Sequence, residues 1–218
     1  MLLVLLQSIE SFDGELTMKV IEQSWEWFKK PESVIESIEL AGRVCYKSED
    51  RIGGGSAAKF VKLILERGHE TVIEHVSASV RFITNRGVTH ELVRHRLASY
   101  SQESTRYVRY GDQVTFIKPV WWSQYSEEQK KHWEMYMQQS EEAYILALKY
   151  GDRPEQAREY LPHAVKTEIV VTTNLREWRH IFELRCARTS HPQMVALMRD
   201  CLAGFAKEMP IVFEDLLD

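Results

Sequence analysis

The chain has 218 residues, of which 44% are hydrophobic and 28% are charged, with a formal net charge of −4 at pH 7. A chain of this length buries roughly 70% of its unfolded surface, which predicts one globular domain over residues 1–218. The acidic balance argues against general nucleic-acid binding, and no stretch approaches the roughly 20 apolar residues that cross a bilayer. Three cysteines without metal-ligand spacing indicate reduced thiols in a cytoplasmic protein.

Hydrophobic periodicity predicts the elements of the N-terminal half. In chain order they are a buried strand at Met1–Leu6, a helix over Glu32–Tyr46, a helix from Ser56 to Leu65 that Gly68 ends, and a half-buried strand over His75–Thr84. The Gly53–Gly55 break lacks the GxGxxG and GKS patterns of phosphate-cradling loops, so it predicts a plain loop.

The second half continues as a mixture of helices and strands. We expect a short helix ending before Arg94, a long helix capped at Ser126 and ending near Gly151, a strand over Ala164–Thr173, and helices over Leu175–Ala187 and Gln193–Lys207. The strands are few and do not alternate regularly with helices. This order favours an α+β fold over a Rossmann sheet.

The segment Arg94–Tyr107 concentrates positive charge in an acidic chain, with three arginines, one histidine and three serines in fourteen residues. Guanidinium forks and hydroxyls suit the oxygens of a phosphate, which predicts a phosphorylated small molecule as ligand. A loop here would let Arg94, Arg96, Ser104 and Arg106 converge on one ligand. On charge alone, a solvated basic loop paired with the acidic surface is an equal alternative.

Two His/Glu pairs fall within Gly68–His75 and raise the question of a metal site. The HExxH motif places its histidines four residues apart on one helical face, whereas His69 and His75 are six apart. We therefore predict no metal here. Structural hydrogen bonding at a helix-to-strand turn is the simplest interpretation of these residues.

Helical geometry singles out Arg185 in the helix after Asn174. It follows Trp178 by seven residues and Ile181 by four, which places it on the apolar face. A buried guanidinium needs an anionic or accepting partner, so the side chain faces either a ligand or an internal carboxylate such as Glu183. Arg176, Arg179 and His180 fall on the opposite face, where the pattern predicts solvation.

These segments together resemble the flavin-dependent thymidylate synthases. The resemblance covers Gly68–Tyr107 and Arg158–Arg185, and it includes Arg-His-Arg at 94–96, Ser-x-Arg at 104–106 and a GHE-T-x-x-EH segment at 68–75. It implies a non-Rossmann fold with a small, mostly antiparallel sheet packed with helices. It also implies synthesis of dTMP from dUMP, with methylenetetrahydrofolate as carbon donor and an FAD-borne hydride supplied by NADPH. Homotetramers with shared active sites and no protein nucleophile are further expectations.

The resemblance also assigns roles to individual positions. For dUMP it implies Glu91, Arg94, Glu103, Ser104, Arg106, Arg158 and Arg185, the last also catalytic through polarisation of the uracil ring. For FAD it implies Thr71, Glu74, Arg94, His95, Arg96, Gln102, Asn174, Arg176 and His180, with His69 in support. Three positions depart from the expected pattern, because Glu91 and Gln102 exchange an acid and an amide and His180 replaces an amide.

Two other classes of function fit parts of the same pattern. A phosphohistidine enzyme would use His95 as nucleophile, with Arg94 and Arg96 holding the phosphate. An RNA-binding module would stack single-stranded bases on the basic, tyrosine-containing loop, although the acidic overall charge weighs against it.

Overall fold

The computed structural model describes residues 18–111 and 113–217, so the predicted strand at Met1–Leu6 lies outside the described residues. The strands are β1 (Lys19–Ile21), β2 (Ser24–Lys29), β3 (Ser77–Asn85), β4 (Ser99–Gln102), β5 (Thr115–Ile117) and β6 (Lys166–Asn174). The helices are α1 (Val34–Tyr46), α2 (Ser56–Glu66), α3 (Arg86–Leu92), α4 (Glu127–Lys149), α5 (Pro154–Ala157), α6 (Leu175–Arg185), α7 (Pro192–Glu208) and α8 (Pro210–Phe213). Short 3₁₀ turns include Glu70–His75 and Arg158–Tyr160.

A four-stranded antiparallel sheet in the order β2-β3-β6-β4 forms the centre of the molecule, and β1 and β5 form a separate parallel pair. The two central strands pair from Ser77 opposite Asn174 to Asn85 opposite Lys166. Alternate residues of β6 are buried, as the period of two predicts. The α+β fold with a small, mostly antiparallel sheet is confirmed.

The main core lies between this sheet and the C-terminal helices. Trp178, Phe182, Phe205 and Phe213 form a continuous aromatic cluster with ring centroids 5.1–5.9 Å apart. The Trp178 indole donates to the Ala78 carbonyl at 3.1 Å, which joins α6 to β3. A second, smaller core lies under α4, around Phe116, Tyr144 and Val165. These contacts fix α6 on the sheet, and α6 carries Arg185.

Most of the long predicted elements are present. The Ser126 capping box forms as predicted, with Ser126 Oγ accepting from the Gln129 amide. None of the helices within 18–111 and 113–217 is long and apolar enough to cross a membrane.

The strand predicted over His75–Thr84 is present, but it begins at Ser77 because Glu70–His75 forms a 3₁₀ turn. One prediction was wrong. The stretch expected to be a loop contains strand β4, whose residues pair with β6 from Ser99 opposite Thr172 to Gln102 opposite Ile169.

Candidate active site

The Arg-His-Arg segment follows directly from the end of α3. Asn85 starts this helix by accepting the Val88 amide at 2.9 Å, and the helix ends at Leu92, before Arg94 as predicted. Two successive turns follow, in which Arg94 N donates to the Glu91 carbonyl and His95 N to the Leu92 carbonyl. Thr173 Oγ1 donates to the Leu97 carbonyl at 2.9 Å, so the segment is fastened to the C-terminal end of β6.

Arg185 is held by this segment. Its Nε donates to His95 Nε2 at 2.9 Å, Nη1 to Glu91 Oε2 at 3.0 Å and Nη2 to the Glu91 carbonyl at 3.0 Å. The side chain is only 19% exposed, so its predicted burial is confirmed. The internal partner is Glu91 rather than Glu183. A guanidinium has five N–H groups, so two remain for a ligand.

His95 is buried, and its protonation state follows from its neighbours. Burial, reinforced by the Arg185 and His180 charges, lowers the pKa of His95 to about 4, so the ring is neutral at neutral pH. Since Nε2 accepts from Arg185, Nδ1 carries the hydrogen and faces Glu177 Oε1 at 3.6 Å. Burial raises the pKa of the Glu177 carboxyl. We call Glu91, His95, Glu177 and Arg185 the clamped group.

Part of the clamped group also has the geometry of a metal site. One ligand atom each from His95, Glu177 and His180 lies within 4.8 Å of the others. Because the Arg185 N–H occupies Nε2 of His95, only Nδ1 would be left for an ion.

Arg94 and Arg96 differ from Arg185 in having no internal partner. Both side chains are exposed. Neither forms an ion pair or a side-chain hydrogen bond with any residue that the structure describes. Two unneutralised guanidinium groups beside the clamped group are suited to an anionic ligand.

Glu103 lies further along the segment and is held internally. Its Oε1 accepts from the Tyr110 hydroxyl at 2.9 Å and its Oε2 from Lys166 at 3.0 Å, with 14% of the side chain exposed. Lys166 also binds Glu168, and this hydrogen bond is the main reason that the pKa of Glu168 is lowered. Burial raises the pKa of the Tyr110 hydroxyl, which keeps it a donor.

Ser104, Arg106 and Arg158 form what we call the open group. Ser104 Oγ accepts the Arg106 amide at 3.3 Å. The Arg106 side chain is 57% exposed and lies 4.0 Å from Glu155, while Arg158 is 40% exposed and 3.6 Å from Glu159. Exposed ion pairs of this kind contribute little, so these arginines are free to reorient.

The clamped and open groups lie at opposite ends of β4. The strand runs from Ser99 to Gln102, and its ladder continues through the Glu103 amide to the Glu168 carbonyl. At about 3.3 Å per residue, Ser104 lies roughly 15–20 Å from the Arg-His-Arg segment. The convergence of Arg94, Arg96, Ser104 and Arg106 on one ligand stays a prediction, but the loop that was expected to allow it is replaced by a strand that pairs with β6.

Gln102 occupies the space between the two groups. Its Nε2 donates to Thr89 Oγ1 at 2.9 Å and to Thr167 Oγ1 at 3.3 Å, beneath α3. The amide nitrogen is thereby used internally, and the amide oxygen is the atom left for a ligand.

Two of the remaining flavin candidates, Thr71 and Arg176, line a cleft of about 270 Å³ between α1, α2 and the Glu70–His75 turn. Thr71 is exposed in this cleft, and Arg176 lines it. Arg176 Nη1 donates to Glu74 at 2.6 Å, so these two candidates are partners of each other. Asn174 starts α6, with Oδ1 accepting the Glu177 amide at 2.9 Å. His180 is exposed, with its ring 5.9 Å from that of His95.

Arg179 corrects one prediction about this helix. It was expected to be solvated, yet its side chain is 11% exposed and pairs with Asp215 at 2.6 Å. The C-terminal segment packs over the face of α6 that the pattern left open, and an isolated helix could not show this.

Sequence reasoning missed two residues of the site. Glu177 precedes Ile181 by four and Arg185 by eight, so the helical argument that selected Arg185 also selects Glu177. Tyr100 donates its hydroxyl to the Leu92 and His95 carbonyls at 2.8 and 2.7 Å. Nothing in the local sequence pattern indicates that contact.

Comparison with known sequences finds a matching family model and several relatives. A family model described as thymidylate synthase complementing protein matches residues 28–211. A flavin-dependent thymidylate synthase from Geobacter sulfurreducens is 35% identical over 187 residues, covering 82% of this chain and 80% of that protein. Another from Mycobacterium avium is 35% identical over 197 residues, covering 82% and 78%.

A solved structure shares the fold. The UMP/dUMP methylase PolB from Streptomyces cacaoi, crystallised with 5-Br dUMP, matches with a TM-score of 0.76 at 23% identity, over 90% of this chain and 96% of that one. Since the family model spans most of the chain and the relatives align over four fifths of it, this chain belongs to the flavin-dependent thymidylate synthase family.

Proposed function

We propose that this enzyme converts dUMP to dTMP, with methylenetetrahydrofolate as carbon donor and with FAD and NADPH as the source of hydride. Family membership supports the overall reaction. The observation that carries the residue assignment is the clamped group, which presents two unused N–H groups of Arg185 beside the unpaired Arg94 and Arg96.

Arg185 is assigned to the uracil ring of dUMP. Its two remaining N–H groups can donate to a ring carbonyl, and the cation stabilises negative charge that develops on the heterocycle. Glu91 and His95 already fix the orientation of the guanidinium, so no reorganisation is needed when the ligand arrives. Arg94, with Ser104, Arg106 and Arg158 of the open group, would hold the nucleotide phosphate.

The candidate flavin residues fit an anionic dinucleotide. Arg94 and Arg96 are exposed cations without internal partners among the residues described, and Thr71 and His180 are also exposed. Asn174, Gln102, Glu74, Arg176 and His95 would complete the set. FAD would supply the redox chemistry, and these side chains would bind and orient it.

Two of the three thiols, Cys186 and Cys201, and the buried His95 are poorly suited to act as nucleophiles. Burial raises the pKa of Cys186 to about 11 and raises that of Cys201 well above its ordinary value, so thiolate is scarce at both positions at neutral pH. All three cysteines are unbridged, in keeping with the cytoplasm. The phosphohistidine alternative is disfavoured, because Nε2 of His95 accepts from Arg185 and Nδ1 faces Glu177.

The separation of the clamped and open groups supports a homotetramer with shared active sites. Roughly 15–20 Å of backbone separates the two groups along β4, which favours a site completed by a second subunit over one formed within a single chain. A neighbouring subunit that brings its Arg106 to the Arg185 of this chain would complete the site. Mass measurement of the native protein tests the assembly.

Mixed assemblies test whether the sites are shared. Arg185→Ala and Arg106→Ala chains are co-expressed in equal amounts, assembled at random and assayed at dUMP concentrations far below KM, where both variants are slow. They should recover about a quarter of the wild-type rate or slightly more if each site takes these residues from two subunits. Each homogeneous variant is the control. A rate equal to the average of those controls would mean that each site lies within one chain.

The reaction itself is tested by omission. The purified chain should absorb in the visible range as a flavoprotein and should form dTMP only when dUMP, methylenetetrahydrofolate and NADPH are all present. Absence of bound flavin and of dTMP under all conditions would overturn the proposed function. Salt-sensitive RNA binding without turnover would instead support the RNA-binding alternative.

A further inference from the structure

The C-terminal end of α3 carries all three contacts that hold Arg185. The Glu91 carbonyl accepts both the Arg94 amide and Arg185 Nη2, and the Glu91 carboxylate and the His95 ring supply the other two contacts. The last carbonyls of a helix have no partner within the helix, so something outside it must satisfy and fix them. The position of Arg185 therefore depends on how rigidly residues 91–95 are held.

Tyr100 holds that segment from the sheet. It lies on β4 opposite Val171 of β6, and its hydroxyl reaches the Leu92 carbonyl at 2.8 Å and the His95 carbonyl at 2.7 Å. A phenol has one proton, so the two carbonyls share it. Each carbonyl also accepts a backbone amide, from His95 and Ala98 respectively. The tyrosine thus joins the end of α3 to the turn that follows it.

The hydroxyl remains a donor under all physiological conditions. Burial raises the pKa of Tyr100 to about 12. The ring packs against the main core, so removal of the oxygen alone leaves the apolar contacts in place. The hydroxyl can therefore be separated experimentally from the packing of the side chain.

We propose that Tyr100 is a positioning residue for Arg185. Its hydroxyl fixes the Leu92 and His95 carbonyls, and these in turn fix the Glu91 and His95 groups that bind the guanidinium. For its activity readout the proposal rests on the proposed function. The Tyr100 hydroxyl donates to the Leu92 and His95 carbonyls and not to Arg185, so the proposed route runs through residues 91–95.

A double-mutant cycle distinguishes this role from a general loss of stability. Tyr100→Phe should lower kcat for dTMP formation about tenfold with flavin content unchanged, since loss of a shared hydrogen bond loosens the clamp. In an Arg185→Lys background, where the three-point grip is already gone, the same change should cost less than about twofold. Equal losses in both backgrounds would overturn the proposal.

Tyr150→Phe is the matched control, because it removes the hydroxyl of a tyrosine that is 80% exposed. It should leave kcat unchanged. If Tyr100→Phe does not fold, Tyr100→Met fills similar space without a donor and is expected to give the same cycle.

A measurement that needs no turnover separates this proposal from the proposed function. The Arg185 Nε–H is bonded to His95, so its NMR signal should exchange slowly with water in wild type and about tenfold faster in Tyr100→Phe. Unchanged exchange would refute the positioning role even in an active enzyme. Faster exchange in a protein that makes no dTMP would support the positioning role and reject only the proposed reaction.

Discussion

The clamped group and the open group both contain arginine, but the arginine side chains of the two groups are held differently. Arg185 is 19% exposed and donates to three acceptors, whereas Arg106 is 57% exposed and lies 4.0 Å from its only ion-pair partner among the described residues, Glu155. The first guanidinium is oriented before any ligand arrives. The second must be ordered by a ligand or by another subunit. Arg185 is therefore preorganised at the end of β4 that we assign to the uracil ring. Arg106, at the end that we assign to the phosphate, can adapt its conformation to the ligand.

Arg185→Ala should cause the largest loss of activity. The variant loses the cation assigned to the uracil ring, so we expect dTMP formation to fall about 100- to 1,000-fold with flavin largely retained. Steady-state kinetics and the visible spectrum measure the two quantities. Arg67→Ala, at the exposed end of α2, is the matched arginine control and should be neutral. Wild-type turnover in Arg185→Ala would remove this residue from the mechanism.

Lys166→Met tests the charges that support the open end of the strand. The change leaves the carboxylates of Glu103 and Glu168 without their shared cation, and Glu103 is 14% exposed. We expect a loss of about 2 kcal/mol in the free energy of unfolding. Urea denaturation measures it, with the exposed Lys62→Met as control. A midpoint equal to that of wild type would show that these carboxylates are satisfied without Lys166.

Acid should lower the free energy of unfolding, because His95 is protonated more readily in the unfolded chain than in the folded one. The ring is neutral in both states above its unfolded pKa of 6.5, but the folded pKa is about 4, so the unfolded chain gains the proton first as pH falls. Between these values wild type should lose about 1–2 kcal/mol of stability relative to His95→Asn, after allowance for partial solvent screening. Glu177, whose pKa burial raises, acts in the opposite direction and is common to both proteins.

Urea melts of the two proteins at a series of pH values give this difference directly. Parallel stability curves between pH 6.5 and 4 would contradict the neutral, buried state of His95.

Arg106→Ala should have the smallest effect. The side chain contributes one exposed cation to a phosphate, so KM for dUMP should rise about five- to tenfold while thermal stability stays within error. A comparable loss of stability would mean that the open group is as structural as the clamped group.

The long elements of the fold could be predicted because their patterns are local. The alternation in β6 and the capping box at Ser126 depend on residues that are close in sequence. The four-residue strand β4 could not, because Ser99–Gln102 becomes a strand only through its pairing with β6, some seventy residues later. Short polar strands take their conformation from the partner rather than from their own composition.

In the candidate site too, features that depend on local spacing were predictable and long-range contacts were not. Helical spacing alone predicted that Arg185 is buried, but not that Glu91, 94 residues away, is its partner. The family resemblance named most of the candidate residues, and it could not show that β4 holds them apart within one chain. Tyr100 was missed because its role depends on carbonyls, which carry no sequence signal.

Asn174 joins folding and recognition in a single side chain. Its Oδ1 accepts the Glu177 amide at the start of α6, so the amide nitrogen is the atom that remains as a donor for a ligand. Aspartate at this position would still begin the helix but would present a second acceptor in place of that donor. Asn174 thus belongs both to the start of the helix that carries Arg185 and to the surface that would meet the cofactor. A substitution that alters this surface at Asn174 must therefore also preserve the start of the helix.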